Sequence, residues 1–266
     1  MLDARRRAIL DALGIDVWRL RTQGPGARSE DAVSRAADQG PGTKADESTA
    51  DRVAGNSPPA AESTGVAPPP PIPSALPPEP SALSWEQLHA TVRTCAACAL
   101  HETRTQTVFG VGNQSARLMV IGEAPGAEED RQGEPFVGRA GQLLNAMLAA
   151  IGFPRDQVYI ANIVKCRPPG NRDPGADETA ACRAYLLRQI ELVAPELILA
   201  VGRVAAHSLL GTDEAVGRLR GRTHRLDPGD IPVLVTYHPA YLLRQPQEKA
   251  KSWQDLQAAW HLLREG

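Results

Sequence analysis

The chain has 266 residues, of which 42% are hydrophobic and 4% aromatic, and its formal net charge is −2. This length suffices for one ordinary globular domain with additional sequence. No stretch reaches the roughly 18 consecutive apolar residues of a membrane span, so we expect no membrane association. A net charge near zero neither indicates nor excludes a nucleic-acid partner.

The first 83 residues divide into two predicted segments. Residues 1–22 predict a short amphipathic helix, because apolar side chains recur at helical spacing from Ile9 to Val17. Residues 23–83 predict a disordered linker, since 10 of the 25 residues at 56–80 are proline. The helix is either loosely docked on the folded part or a partner-docking peptide on a tether. The sequence leaves both interpretations open.

Folded sequence is predicted from residue 84 to residue 266. Ser84 and Gln87 predict the start of a helix that runs to about Thr94 and delivers Cys95 at its end. From there apolar strands alternate with helices. Strands are predicted at 117–123, 158–165, 197–202 and 231–237, and helices at 138–151, 176–193, 204–210 and 247–263.

This alternation predicts an α/β fold, a three-layer α/β/α arrangement with a central four-stranded parallel sheet covered on both faces. In an open parallel sheet, ligands bind beyond the carboxyl ends of the strands. Glu123, Asn162 and His238 each lie at or just after such an end. Each also has a plain structural interpretation: Glu123 could belong to a tight turn, Asn162 could be a buried amide with satisfied hydrogen bonds, and His238 could be a loop histidine. Their convergence at one edge of the sheet nevertheless predicts a site.

Four cysteines, which are all that the chain has, carry the second signal: Cys95, Cys98, Cys166 and Cys182. A C-x2-C pair is followed after 67 residues by the third and after 15 more by the fourth. Two disulfides are one interpretation, but no secretory signal pattern is seen, and we expect a reducing compartment. A structural zinc usually takes two tight C-x2-C pairs. An iron–sulfur cluster accepts ligands from separated loops, and the spacing leaves these alternatives open.

The chain from about Ser84 onward resembles the family 4 uracil-DNA glycosylases, the iron–sulfur branch of that superfamily. Four segments carry the resemblance in addition to the cysteines: GEAPG at 122–126, GEPFVGRAG at 133–141, ANIVKCRPPGNRDP at 161–174 and YHPAYLL at 237–243. The resemblance implies a DNA-repair enzyme that flips uracil out of single-stranded or U:G duplex DNA and hydrolyses its N-glycosidic bond. It also implies a [4Fe-4S] cluster on the four cysteines. We expect a bacterial cytoplasmic location, and the sequence leaves the oligomeric state open, with a monomer as the default.

The resemblance assigns roles to individual residues. Phe136 is expected to stack on the flipped base beside Gly122, and the amide of Asn162 to select uracil through O4 and N3–H. His238 is expected to hydrogen-bond to uracil O2 as charge develops there. Glu123 and Asn171 share the expected role of positioning the water.

Further residues are expected to contact DNA. Arg218, Arg220 and Arg222 in the segment 217–225, and Arg244, are predicted phosphate ligands, although a solvated hairpin turn is the plain alternative for that segment. Leu242 or Leu243 is expected to enter the base stack. Two other functions stay open: a non-catalytic, polymerase-associated DNA-binding module with an iron–sulfur site, and an electron-transfer or metal-sensing protein.

Overall fold

A computed structural model describes residues 80–265 of the chain. The predicted helix at 1–22 and residues 23–79 of the predicted linker lie outside the described residues. The last four residues of that linker are described: Pro80–Ala82 form a short 3₁₀ helix, and Leu83 is buried. Within residues 80–265, no helix is both long enough and apolar enough to cross a membrane.

A mixed sheet of six strands forms the centre of this region. The strands are β1 (Val111–Gly112), β2 (Leu118–Gly122), β3 (Tyr159–Asn162), β4 (Leu197–Val201), β5 (His224–Leu226) and β6 (Ile231–Thr236). Their spatial order is β1-β3-β2-β4-β6-β5. The four central strands are parallel, as predicted, and the two outer strands pair antiparallel. The outer strands were not predicted, because two or three residues are too few to show a periodic pattern.

Eight α-helices accompany these strands within residues 80–265. They are α1 (Trp85–Arg93), α2 (Ala127–Gln132), α3 (Arg139–Ala150), α4 (Ala176–Val193), α5 (Arg203–Leu210), α6 (Val216–Leu219), α7 (Pro239–Arg244) and α8 (Lys249–Glu265). The predicted helices agree with α1, α3, α4, α5 and α8 within two residues at each end. The three short helices α2, α6 and α7 were not predicted, and α6 with β5 replaces the hairpin considered for 217–225.

Alternate residues of the strands face two separate apolar layers, as a parallel sheet covered on both sides requires. Met119 and Ile121 of β2 pack with buried residues of α4 and α5. Leu118 and Val120 pack with buried residues of α3 and α8 on the opposite face. The three-layer α/β/α prediction is confirmed.

The first helix begins as its sequence predicts. The Ser84 hydroxyl accepts the Gln87 N–H at 3.3 Å, and the Gln87 side chain accepts the Ser84 N–H at 2.9 Å. This reciprocal capping box satisfies two backbone donors that a helix start otherwise leaves free. The helix ends at Arg93, so Cys95 follows almost directly.

Strand β2 marks the point where the order of connections reverses. The chain passes from β2 to β3 on one side and then returns to β4 on the other side of β2. A crevice opens at such a reversal, outside the carboxyl ends of the strands. Gly122, Asn162, Gly202 and His238 end or follow the four parallel strands, and they therefore surround this crevice.

Candidate active site

A cleft of about 840 Å³ lies at the carboxyl ends of the parallel strands. Five of the predicted catalytic and base-binding residues line it: Glu123, Phe136, Asn162, Asn171 and His238. They come from four separate segments of the chain. The structure thus brings the predicted catalytic and base-binding side chains to one cavity, which is large enough for a pyrimidine with its sugar.

Gly122 stands where two of these side chains approach the backbone. A Cβ atom at this position would lie 2.5 Å from Asn162 Oδ1 and 2.5 Å from Phe136 Cζ. Any side chain here would therefore displace the Asn162 amide, the Phe136 ring or both. Gly122 contributes space, while the two neighbouring side chains contribute the chemistry.

The side chain of Asn162 has an incomplete set of hydrogen bonds. The residue is 2% exposed, and its Oδ1 atom has no hydrogen-bond partner among the described residues. A buried polar oxygen without a partner is rare and costs about 1–3 kcal/mol. This oxygen borders the cleft, so a ligand that brings a donor would satisfy it.

Phe136 is held in an unusual backbone conformation. Its φ angle is 54°, in the left-handed region that non-glycine residues seldom adopt. The Arg155 guanidinium donates to the carbonyl of Phe136 at 3.3 Å and to that of Pro135 at 2.6 Å. A Cβ at Gly141 would lie 1.8 Å from the Phe136 carbonyl oxygen, so only glycine fits there. The ring is thereby fixed against the cleft, with its centroid 5.7 Å from that of His238.

Glu129 is a site residue that sequence reasoning missed. One carboxylate oxygen accepts the Gly126 N–H at 3.1 Å. The other accepts the N–H groups of Val137 and Gly138 at 3.0 and 3.1 Å. Glu129 therefore joins the GEAPG turn to the segment that carries Phe136. Its position three residues after the helix cap Gly126 was the available signal.

His238 is a neutral hydrogen-bond donor at neutral pH. Burial, with a further contribution from Arg244, lowers the pKa of His238 from 6.5 to about 4. Its Nδ1 atom accepts the Ala240 N–H at 3.1 Å, so the ring proton resides on Nε2. The imidazole can therefore offer one N–H to a ligand in the cleft.

Glu123 belongs to a group of three ionisable side chains. It shares a hydrogen bond with Asp173, and Asp173 forms an ion pair with Arg203. Burial first, and then the negative charge of Asp173, raise the pKa of Glu123 to about 7, while Arg203 opposes the shift. A carboxyl group with this pKa can exchange a proton near neutral pH. Sequence reasoning did not assign roles to Asp173 and Arg203.

Asn171 lines the same cleft on its exposed side. Its Oδ1 atom accepts from Arg167 Nε at 2.8 Å, and its φ angle of 55° lies in the left-handed region. The bond with Arg167 leaves the amide N–H groups of Asn171 for a ligand or a water molecule.

The four cysteines converge on a second, smaller pocket that all four line. Arg104 donates to Cys166 Sγ at 3.0 Å, and the Lys165 N–H donates to Cys182 Sγ at 3.3 Å. Among residues 80–265, no three His, Cys, Asp or Glu side chains are arranged to hold a single metal ion. Four thiols on one pocket nevertheless form a soft donor set of the kind that iron–sulfur cores use.

The chain matches the family model of the uracil DNA glycosylase superfamily over residues 109–264. It is 42% identical over 170 residues to the type-4 uracil-DNA glycosylase of Archaeoglobus fulgidus, which covers 62% of this chain and 85% of that relative. It is 47% identical over 155 residues to the type-4 uracil-DNA glycosylase of Thermotoga maritima. This match covers 58% of this chain and 80% of that relative.

The chain belongs to the type-4 uracil-DNA glycosylases. The predicted family, fold and DNA-repair glycosylase activity are thereby confirmed. A further relative is the DNA polymerase of Bacillus phage SP01, 30% identical over 165 residues, which are 62% of this chain but 18% of that protein.

In this type-4 glycosylase, the predicted DNA-binding arginines have different surroundings. Arg218 and Arg222 are exposed, and Arg222 pairs with the exposed Glu214 at 3.3 Å. Arg244 is exposed and lines the cleft. All three side chains are thus exposed, and Arg244 alone among them lines the cleft.

Arg220 does not fit the predicted phosphate contact. Its guanidinium pairs with the buried Asp255 at 2.8 Å and lies 5.3 Å from the centre of the Tyr237 ring. Asp255 also accepts from the Thr236 hydroxyl at 2.8 Å. Arg220 therefore ties α6 to α8 and β6, and removing it from Asp255 would leave a buried charge without its partner.

The structure also distinguishes the two predicted wedge residues. Leu242 is 1% exposed and packs in the core with α3 and α8, so it cannot enter a DNA stack. Leu243 is 38% exposed, one of the two most exposed large apolar side chains among residues 80–265. The wedge prediction therefore applies to Leu243 alone.

Proposed function

We propose that the described cleft is where this type-4 glycosylase holds a flipped uracil and hydrolyses its N-glycosidic bond. The observation that carries this proposal is the buried Asn162 oxygen without a partner, beside the Phe136 ring and the neutral His238. Flipping costs a few kcal/mol and costs least at a mismatch or in a single strand. Single-stranded and U:G duplex DNA are therefore the proposed substrates.

Recognition of the base would rest on Asn162 and Phe136. Asn162 Oδ1 accepts the N3–H of uracil, and the amide N–H donates to O4. Cytosine presents the opposite pattern at these atoms, so it would leave buried polar groups unpaired. The Phe136 ring provides a face for stacking, worth about 1–3 kcal/mol with little preference among bases.

Departure of the base would rest on His238. Cleavage leaves negative charge on uracil, chiefly at O2, and a preorganised donor aimed at that oxygen lowers the barrier. A neutral imidazole suits this role, because it donates from Nε2 and needs no proton transfer. The low pKa of His238, caused chiefly by burial, supports the neutral form at physiological pH.

Attack on the sugar would rest on Glu123 with help from Asn171. Glu123 has a pKa of about 7, so a large share of it is ionised at neutral pH and can accept a proton from water. Asn171 can only orient the water through its amide N–H groups. We therefore assign the base to Glu123 and the orienting contact to Asn171.

We propose that Cys95, Cys98, Cys166 and Cys182 hold a [4Fe-4S] cluster. The shared pocket and the all-thiol donor set support this proposal. Such a cluster would supply a structural cross-link, since hydrolysis of a glycosidic bond needs no electron transfer. Iron and sulfide analysis of the purified protein tests this, and stoichiometric zinc would contradict it.

DNA would be held by exposed side chains, of which Arg244 lines the cleft. Arg218, Arg222 and Arg244 are the proposed phosphate ligands, and Leu243 the proposed wedge. The described domain has 20 basic and 20 acidic residues from 84 to 266, so binding relies on this local group of arginines. We further propose a monomer in the bacterial cytoplasm, where the nucleoid provides the substrate.

The N-terminal segment would serve a protein partner. The similarity of the folded domain to part of a phage DNA polymerase is the observation that favours a replication-associated partner. The same similarity favours the second candidate function, a DNA-binding module without catalysis.

One experiment tests the proposed reaction. Cluster-loaded protein is incubated with single-stranded, U:G and T:G oligonucleotides, and abasic sites are then cleaved with alkali. Strand cleavage with the two uracil substrates and not with T:G is expected. Intact uracil strands, from protein that binds them, would support the non-catalytic module.

A further inference from the structure

Lys165 has a buried charged side chain that takes no part in the proposed base recognition, catalysis, cluster binding or DNA contacts. It is 1% exposed, and it lies between the base-binding cleft and the cysteine pocket. Among residues 80–265 it has no carboxylate within ion-pair distance, whereas most buried ammonium groups have one. A buried charge of this kind is costly, so its contacts show what it is used for.

Both hydrogen bonds of the ammonium group go to neutral oxygens. Lys165 Nζ donates to the backbone carbonyl of Asn162 at 2.9 Å and to Gln189 Oε1 at 2.6 Å. The first contact holds the last residue of β3, whose side chain is the proposed base-selecting amide. The second contact ties the same ammonium to helix α4, which also carries Cys182 two turns earlier.

Gln189 extends the contact into the sheet. Its Nε2 atom donates to the Phe109 carbonyl at 2.9 Å and to the Tyr159 hydroxyl at 3.1 Å. Gln189 is fully buried, and Tyr159 is the first residue of β3. Both ends of β3 are thus held by one buried polar network in which each member limits the freedom of the next.

The main chain around Lys165 is fixed as well. Its N–H donates to Cys182 Sγ at 3.3 Å, and its carbonyl accepts the Val108 N–H at 2.8 Å. The next residue, Cys166, accepts from Arg104. The side chain of Lys165 therefore spans from a backbone anchored at the cysteines to the backbone of Asn162.

We propose that Lys165 is a positioning residue for base selection, which holds the backbone of Asn162 so that its amide meets the Watson–Crick edge of uracil. This inference rests on the proposed role of Asn162. A displacement of about 1 Å at a reacting centre can cost about 100-fold in rate, so loss of this contact would be measurable.

The test uses Lys165→Met, which keeps the length and volume of the side chain and removes the ammonium. The variant loses a costly buried charge but leaves two buried oxygen acceptors without this donor, each at a cost in folding stability. Its single-turnover rate on uracil in DNA is expected to fall about 10- to 100-fold. The exposed Lys251→Met is the matched control and should excise uracil at the wild-type rate.

A double-mutant cycle separates positioning from general stability. In an Asn162→Ala background, Lys165→Met should cost less than about two-fold, since its effect passes through Asn162. In a His238→Ala background it should keep its full cost. An equal cost in both backgrounds, or a wild-type rate in the single variant, would overturn the proposal.

Hydrogen exchange without DNA provides a readout that does not depend on activity. Residues 159–166 should exchange faster in Lys165→Met than in the wild type. Suppose that residues 159–166 exchange faster in Lys165→Met, but that Asn162→Asp keeps the wild-type selectivity for uracil. This result would refute the role of Asn162 and retain the anchoring role of Lys165. If Lys165→Met does not fold, Gln189→Met is used instead, because it also removes a hydrogen bond of the ammonium group. The same double-mutant cycle with Asn162→Ala then tests whether the loss of rate passes through Asn162.

Discussion

His238 gives the sharpest prediction, because one substitution changes both catalysis and the pH dependence of stability. His238→Ala removes one donor from the developing charge on uracil O2. Loss of a single donor of this kind costs about 10²–10³-fold in the rate of the chemical step. Single-turnover excision of uracil measures that rate separately from DNA binding, which should change little. A variant within ten-fold of the wild type would refute the assignment.

The same substitution has a calculable effect on folding. The unfolded chain binds a proton at this histidine below about pH 6.5, whereas the folded protein resists it until about pH 4. Wild-type stability therefore falls as the pH falls through this window, and this histidine accounts for about 2 kcal/mol between pH 7 and pH 5. Urea unfolding at both pH values should show a loss smaller by about that amount in His238→Ala. An identical loss in both proteins would show that His238 is not buried in its neutral form.

Four other outcomes follow from the site. The excision rate should rise with pH through about 7 as Glu123 ionises. Glu123→Gln should abolish that rise and lower the excision rate about 10²–10⁴-fold. A pH profile that the substitution leaves unchanged would contradict the assignment of Glu123 as the base. Asn162→Asp should raise the rate on cytosine relative to uracil, and retained uracil-only activity would contradict the selecting amide. Cys166→Ala should lower both the iron content and the soluble yield, whereas full iron loading would contradict its role as a ligand. Deletion of residues 1–79 should leave excision by the purified protein unchanged, and a large loss would place that segment in the active unit.

Much of the fold could be predicted from local patterns. The four central strands are continuous apolar runs, and the five longer helices show apolar residues at helical spacing, so periodicity identified them. The edge strands β1 and β5 and the helix α6 are too short for any period to show. Strands β1 and β5 each pair with one neighbouring strand, β3 and β6. The Arg220–Asp255 ion pair, which joins residues 35 positions apart, connects the end of α6 to α8.

The candidate site was predictable to the extent that its residues stand in compact motifs. The motifs place Gly122, Phe136, Asn162 and His238 in order along the chain, and the fold brings them together. Lys165 stands in one of these motifs and Glu129 between two of them, but their contacts run to other segments or to buried backbone. Sequence order carries no information on the contacts of Glu129 with Val137 and Gly138, or on the contact of Lys165 with Gln189.

The order and spacing of residues alone determined the fold class, the family, the set of thiols and the main side chains of the candidate active site. Only the tertiary structure decided which of two adjacent leucines is exposed, which arginine is committed to a buried carboxylate, and that Glu123 and His238 have shifted pKa values. The reason is physical: burial and the charge of a neighbour depend on distances between groups far apart in sequence. The motifs identify which side chains are present, whereas the fold determines their burial and the charges near them.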